Sequence, residues 1–169
     1  KTTDGGANWT DVTGTLPRSS SLVSCLTISH VSPDTVWAAM GECDAHCVYQ
    51  TTDGGTTWTN ISTGLPNIPV MSVVQNRLNF NTIELYAGTD VGIYQKHGSG
   101  DWILYNNGLP NVVVTELEIF YNSSSPENSK LIAGTWGRGV WESSLPPPPQ
   151  PPPVADFSAD DTNPVINSI

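Results

Sequence analysis

The side chains best equipped for chemistry in this chain are carboxylates. Glu42, Asp44, Asp90 and Glu116 stand outside the two acidic, glycine-rich repeats and are the candidates for general acid and base work. Cleaving a glycosidic bond takes two such groups across a cleft, roughly 5–10 Å apart depending on mechanism. A single sequence places no pair across a cleft, so each reads first as a solvated loop acid. The stretch Cys43-Asp-Ala-His-Cys47 carries ligand-like letters, but a zinc site normally takes four ligands, often as two pairs, and no second pair is present. The expected use is a local disulfide between Cys43 and Cys47, with free thiols and a metal site as the alternatives. Two aromatic residues, Trp136 in a Gly-flanked turn and Tyr105, are the candidates for stacking on a sugar ring, packing between structural units being the competing use. His30, His46 and His97 are isolated and carry no assigned role.

The elements that must position these groups are strands. Thr, Ser, Asn, Gly and Pro are abundant, and no stretch keeps apolar residues at helical spacing. A net charge of −10, with only six scattered Lys and Arg, excludes nucleic acid as a partner, because that binding rests on cations neutralising phosphates. It disfavours an anionic membrane surface for the same reason. No apolar run reaches the length needed to cross a bilayer as a helix.

The chain repeats itself. Trp9, Trp58 and Trp102 are each followed, eight residues on, by the proline of a Leu-Pro pair: Pro17, Pro66 and Pro110. Next comes a β-branched segment, at 22–29, 70–74 and 112–120. A second apolar run follows at 36–39, 85–88 and 131–134, and a third at 48–50, 93–95 and 140–142. About four short strands per unit, at a period near 45 residues, is the signature of propeller blades, since one four-stranded sheet buries too little alone. The fold expected is all-β: about three four-stranded blades of a β-propeller over 1–145. Alternation in the last β-branched segment places Val113, Leu117 and Ile119 on one face and Glu116 and Glu118 on the other.

At the head of the first two units the sequence writes nearly the same octapeptide, TTDGGANW at 2–9 and TTDGGTTW at 51–58. The Asp-Gly-Gly turn suits a hairpin: the glycines accept positive φ, the carboxylate accepts backbone N–H groups of its own turn, and the Thr adds a further bond. The Trp caps the turn. These residues, Thr2, Asp4, Gly6 and Trp9, then Thr51, Asp53, Gly55 and Trp58, match the Asp-box, or bacterial neuraminidase repeat. The pattern resembles the hairpins of sialidases, xyloglucanases, sortilin-type receptors and secreted bacterial propellers. The resemblance implies that the boxes are structural and lie away from the active face. The third unit departs from it: 95–102 lacks the Asp, and its hairpin is expected to rest on Gly98 and Gly100.

After Trp141 no further box follows. Residues 146–153 are almost all proline, which cannot supply the N–H groups of a central strand, and read as an extended polyproline linker. Residues 154–169 resemble the first strand of a PKD domain, an immunoglobulin-like sandwich. The chain opens inside a motif and stops inside one, and is expected to be a fragment whose parent supplies the remaining blades.

For function, a sialidase would require three arginines converging on a substrate carboxylate. Arg18, Arg77 and Arg138 occupy unrelated places in their units and read as surface residues. The leading expectation is a non-catalytic segment of a secreted or cell-surface modular protein that binds a polysaccharide or a surface protein. A glycoside hydrolase of the xyloglucanase or sialidase kind, with its catalytic residues mainly elsewhere, is the alternative. A purely structural spacer is the third reading, because propellers host all three. No cofactor is expected; structural Ca²⁺ at the acidic loops would lack an EF-hand spacing.

Overall fold

The computed structural model describes residues 1–17, 22–42, 46–79 and 81–146. The polyproline segment past Pro146 and the PKD-like start, along with Arg18, Cys43 and Asp44, lie outside the described residues.

The fold is all-β, a β-propeller fragment of three antiparallel sheets. The first runs β1 (Val23–Ile28), β2 (Val36–Met40), β3 (Val48–Thr51) and β4 (Thr59–Asn60), each strand hydrogen-bonded to the next. The second repeats this order with β5 (Val70–Gln75), β6 (Glu84–Thr89), β7 (Gly92–His97) and β8 (Ile103–Leu104). The third has three strands, β9 (Val114–Phe120), β10 (Lys130–Thr135) and β11 (Gly139–Ser144). A four-stranded third blade was the expectation; the proline run that follows Leu145 denies this sheet a fourth strand from the sequence directly after it.

The innermost strands β1, β5 and β9 stand side by side, so the sheets stack face to face. Trp37, Val48, Val70, Val73, Leu85 and Trp102 fill the space between the first and second sheets. Tyr86, Ile93, Val114, Leu117 and Leu131 fill the next. Residues 1–17 form a hairpin beside the first sheet and bury Leu16 against Ala38, Met40 and Tyr49. Of the two Asp-Gly-Gly turns, the one at 51–58 links the third and fourth strands of the first sheet, and the one at 2–9 precedes that sheet.

All three inner strands carry a bulge at the same place. The register skips one residue between Val23 and Cys25, between Val70 and Ser72, and, on β10, between Gly134 and Thr135 opposite Thr115. In β9 this corrects the simple alternation. The extra residue Thr115 puts Val114 and Leu117 both in the core, fully buried, while Val113 is only half-buried. Leu117 and Ile119 face inward, and Glu116 and Glu118 outward, as alternation requires.

The third sheet is covered on one side only. Val48 and Ile93, which pair opposite Ala39 and Gly88, are 0% and 5% exposed; Val140, opposite Gly134, is 75% exposed. Second-sheet residues cover Val48 and third-sheet residues cover Ile93, whereas among the described residues no further sheet packs on Val140.

Candidate functional site

The two acidic boxes are saturated. In the box at 51–58 the Asp53 carboxylate accepts the Thr57 backbone N–H at 2.9 and 3.1 Å, the Thr57 hydroxyl at 2.7 Å and the Thr51 hydroxyl at 2.8 Å. The Thr51 oxygen in turn accepts the Gly55 N–H at 3.0 Å. The box at 2–9 repeats this with Asn8 in place of Thr57: Asp4 accepts the Asn8 backbone N–H at 3.0 Å and its side-chain amide at 2.7 Å. The glycine φ values match, +71° and +96° at Gly5 and Gly6, +71° and +95° at Gly54 and Gly55. Bonds from Asn8 and Thr57, backbone first, hold each aspartate at a pKa of about 2, well below its ordinary 3.8. A carboxylate so engaged is a turn staple and a poor proton carrier at neutral pH.

Two of the three repeat tryptophans, Trp58 and Trp102, reach across to the neighbouring unit. The Trp58 indole N–H donates to the Val12 carbonyl at 3.1 Å, and the Trp102 indole N–H donates to that of Ile61 at 2.7 Å. Both acceptors lie three residues past the preceding box tryptophan. The third turn, which lacks the aspartate, still forms a hairpin with Gly98 at φ +51° and the Gly100 N–H on the His97 carbonyl at 2.9 Å. Here the polarity of the staple is inverted. Lys96, one residue past the β7 partner of Ile103 just as Thr51 follows that of Thr59, donates its ammonium to the Gly100 carbonyl. Burial pulls the Lys96 pKa below the ordinary lysine value.

Antiparallel alternation puts the β2–β3, β6–β7 and β10–β11 turns at the end of the sheets opposite the boxes. Trp136 stands there, 76% exposed, on a fixed backbone: its N–H donates to the Val113 carbonyl at 2.9 Å, and the Thr135 hydroxyl donates to the Gly139 carbonyl at 2.6 Å. Exposed Arg138 shares this turn, and its carbonyl accepts the Trp141 indole N–H at 2.9 Å. Tyr105 is placed otherwise. It is half-buried between the second and third sheets, its ring edge-on to Tyr86 at 5.2 Å and its hydroxyl donating to the Ser144 carbonyl at 3.0 Å. That is a packing position, and Tyr105 forms no stacking platform with Trp136. Among the candidate acids, Glu42 and Glu116 are exposed and Asp90 is half-buried. Arg77 and Arg138 sit at opposite ends of the sheets, so they do not converge.

Cys47 is buried and disulfide-bonded, and Cys25 is a half-buried free thiol. The Cys43 half of the expected pair lies outside the described residues. Among the described residues no group of three or more His, Cys, Asp or Glu could hold a metal ion, and no helix is long and apolar enough to cross a membrane.

Two clusters escaped the sequence reading. The first surrounds Glu84, 3% exposed at the start of β6. Its carboxylate accepts the Tyr86 hydroxyl, the Gln95 amide at 3.0 Å and the Asn79 amide at 3.2 Å. Burial first, then Glu84, pushes the Tyr86 hydroxyl far above the ordinary tyrosine range. With Tyr86 fully buried, this network is internal scaffolding. The second lies at the box end, beside the innermost strands. His30, Arg77 and Tyr121 occupy the same register in successive sheets and line one cavity of about 210 Å³. Their regular position, just past each inner strand, was the signal available in the sequence.

No protein-family model matches this chain, and no curated protein does. Among solved structures it is similar to the crystal structure of the Niastella koreensis GH74 enzyme, at 18% identity and a TM-score of 0.41, over 70% of this chain. The chain spans about a fifth of the length of that enzyme, 22%.

Proposed function

We propose that this chain is a non-catalytic part of a secreted or cell-surface modular protein that binds a glycan through its propeller. The observation that carries the reading is Trp136. A tryptophan three-quarters exposed, on a turn whose backbone is fixed at both ends, presents a flat apolar face on a backbone that is already ordered. Support also comes from the boxes, whose carboxylates are committed to their own turns, and from the resemblance to Asp-box exoproteins. The polypeptide would use blades beyond these three to complete the ring.

The test is affinity electrophoresis and calorimetry of the 169-residue chain against a panel of neutral and acidic polysaccharides, with reducing ends measured in the same samples. Binding by the wild type, its loss in Trp136→Ala, and no release of reducing ends would support the reading. Binding undiminished in Trp136→Ala would remove its basis, and new reducing ends would replace it with a glycoside hydrolase.

A further inference from the structure

The cavity at the box end, beside the innermost strands, has a chemistry the glycan reading does not use. Its polar wall is built from two sheets and held in place by the third. The Arg77 guanidinium lies over the Tyr121 ring at 3.9 Å from its centroid. The Arg77 backbone N–H donates to the Tyr121 hydroxyl at 3.0 Å, and that hydroxyl donates to the Gln75 carbonyl at 3.1 Å. The guanidinium is thus fixed from its backbone and by its face, and its fork of N–H donors is uncommitted: among the described residues no carboxylate lies within ion-pair distance of it. Beside it, the Gln75 side-chain oxygen accepts the His30 backbone N–H at 3.3 Å and contacts Nδ1 at 2.9 Å. An acceptor there puts the ring proton on Nδ1 and leaves Nε2 for another partner.

Glu118 lines the same cavity, exposed, with no hydrogen bond or ion pair to any described residue. Ile28, Val74 and Ile119 supply its apolar lining. At about 210 Å³ it is below the usual 300–1,000 Å³ of pockets for drug-sized ligands, so its occupant is small. A cationic fork, a free carboxylate and an apolar lining in one small cavity match one class of small molecule.

The geometry points to a site for a free α-amino acid with an apolar side chain. Its carboxylate takes the Arg77 fork, its ammonium group faces Glu118, and its side chain covers Ile28, Val74 and Ile119. The site uses neither Trp136 nor the face opposite the boxes, so it stands or falls independently of glycan binding.

The experiment is calorimetric titration of the 169-residue chain, with ¹⁵N-edited NMR, using three probes that share one apolar body: L-leucine, 4-methylpentanoate and isopentylamine. Leucine should bind saturably, at least about tenfold tighter than either single-charge analogue, as expected for loss of one charge-assisted hydrogen bond. Arg77→Lys keeps the charge and removes the fork, and should weaken leucine by a similar factor. Glu118→Gln should weaken leucine while leaving 4-methylpentanoate unchanged. Both positions are exposed, so circular dichroism should show both variants folded. Absence of saturable leucine binding overturns the inference. So does equal affinity for leucine and 4-methylpentanoate, or a Glu118→Gln effect of the same size on both.

Discussion

Three tryptophans share one motif position and have three different surroundings, which makes them an internal test of what the motif does. Trp102 is 2% exposed, Trp58 is half-buried, and Trp9 is 75% exposed. If the box tryptophan acts by bridging sheets, the cost of removing it should follow burial and not motif membership. Truncating a buried aromatic to alanine costs about 3–5 kcal/mol. Part of that at Trp102 is the indole N–H bond to the Ile61 carbonyl, so Trp102→Phe, which keeps most of the ring, should still lose about 1–3 kcal/mol. Trp9→Ala at an exposed site should stay within about 0.5 kcal/mol. For a domain of this size 1 kcal/mol moves Tm by about 2–4 °C. Scanning calorimetry should therefore show Trp102→Ala melting about 6–20 °C below wild type, Trp58→Ala between, and Trp9→Ala within about 2 °C of it. Equal losses at Trp9 and Trp102 would mean that the residue stabilises its own turn, and the bridging argument would fail. A neutral Trp102→Phe would refute the hydrogen-bond share.

The box aspartates make a pH prediction with a definite sign. Their folded pKa of about 2 lies below the ordinary 3.8, so their stabilisation is complete above about pH 4 and is lost as pH falls toward 2. Thermal melts across that window should show Asp53→Asn losing less stability on acidification than wild type. Glycine substitutions should separate strain from collision. Gly55→Ala would place its Cβ 2.7 Å from both the Cβ and the carbonyl oxygen of Val12 and should fail to fold stably. Gly5→Ala, at the similar φ of +71° but in open space, should cost only about 1–2 kcal/mol by urea titration. Glu84→Ala leaves the Tyr86 hydroxyl and the Gln95 and Asn79 amides without their buried acceptor. Urea titration should record a loss of at least about 3 kcal/mol.

The repeated order of Trp, Leu-Pro and three apolar runs determined the all-β class and the division into three sheets. Such information is local: strand propensity, turn chemistry and period are written in consecutive residues. The bonds of the two Asp-Gly-Gly turns were legible for the same reason, since all the partners lie within four positions of the aspartate. Tertiary structure alone decided the rest. The bulge opposite Gly134 moved Val114 into the core in place of Val113, because register is settled between strands and not along one. Tyr105 and Trp136 looked alike as exposed-aromatic candidates. Only the stacking of the third sheet on the second buried the first and left the second in solvent. His30, Arg77 and Tyr121 stand 47 and 44 residues apart in sequence and share one cavity, because each follows an inner strand and those strands lie side by side. Contacts at that separation depend on how whole sheets pack, which no short stretch of sequence encodes.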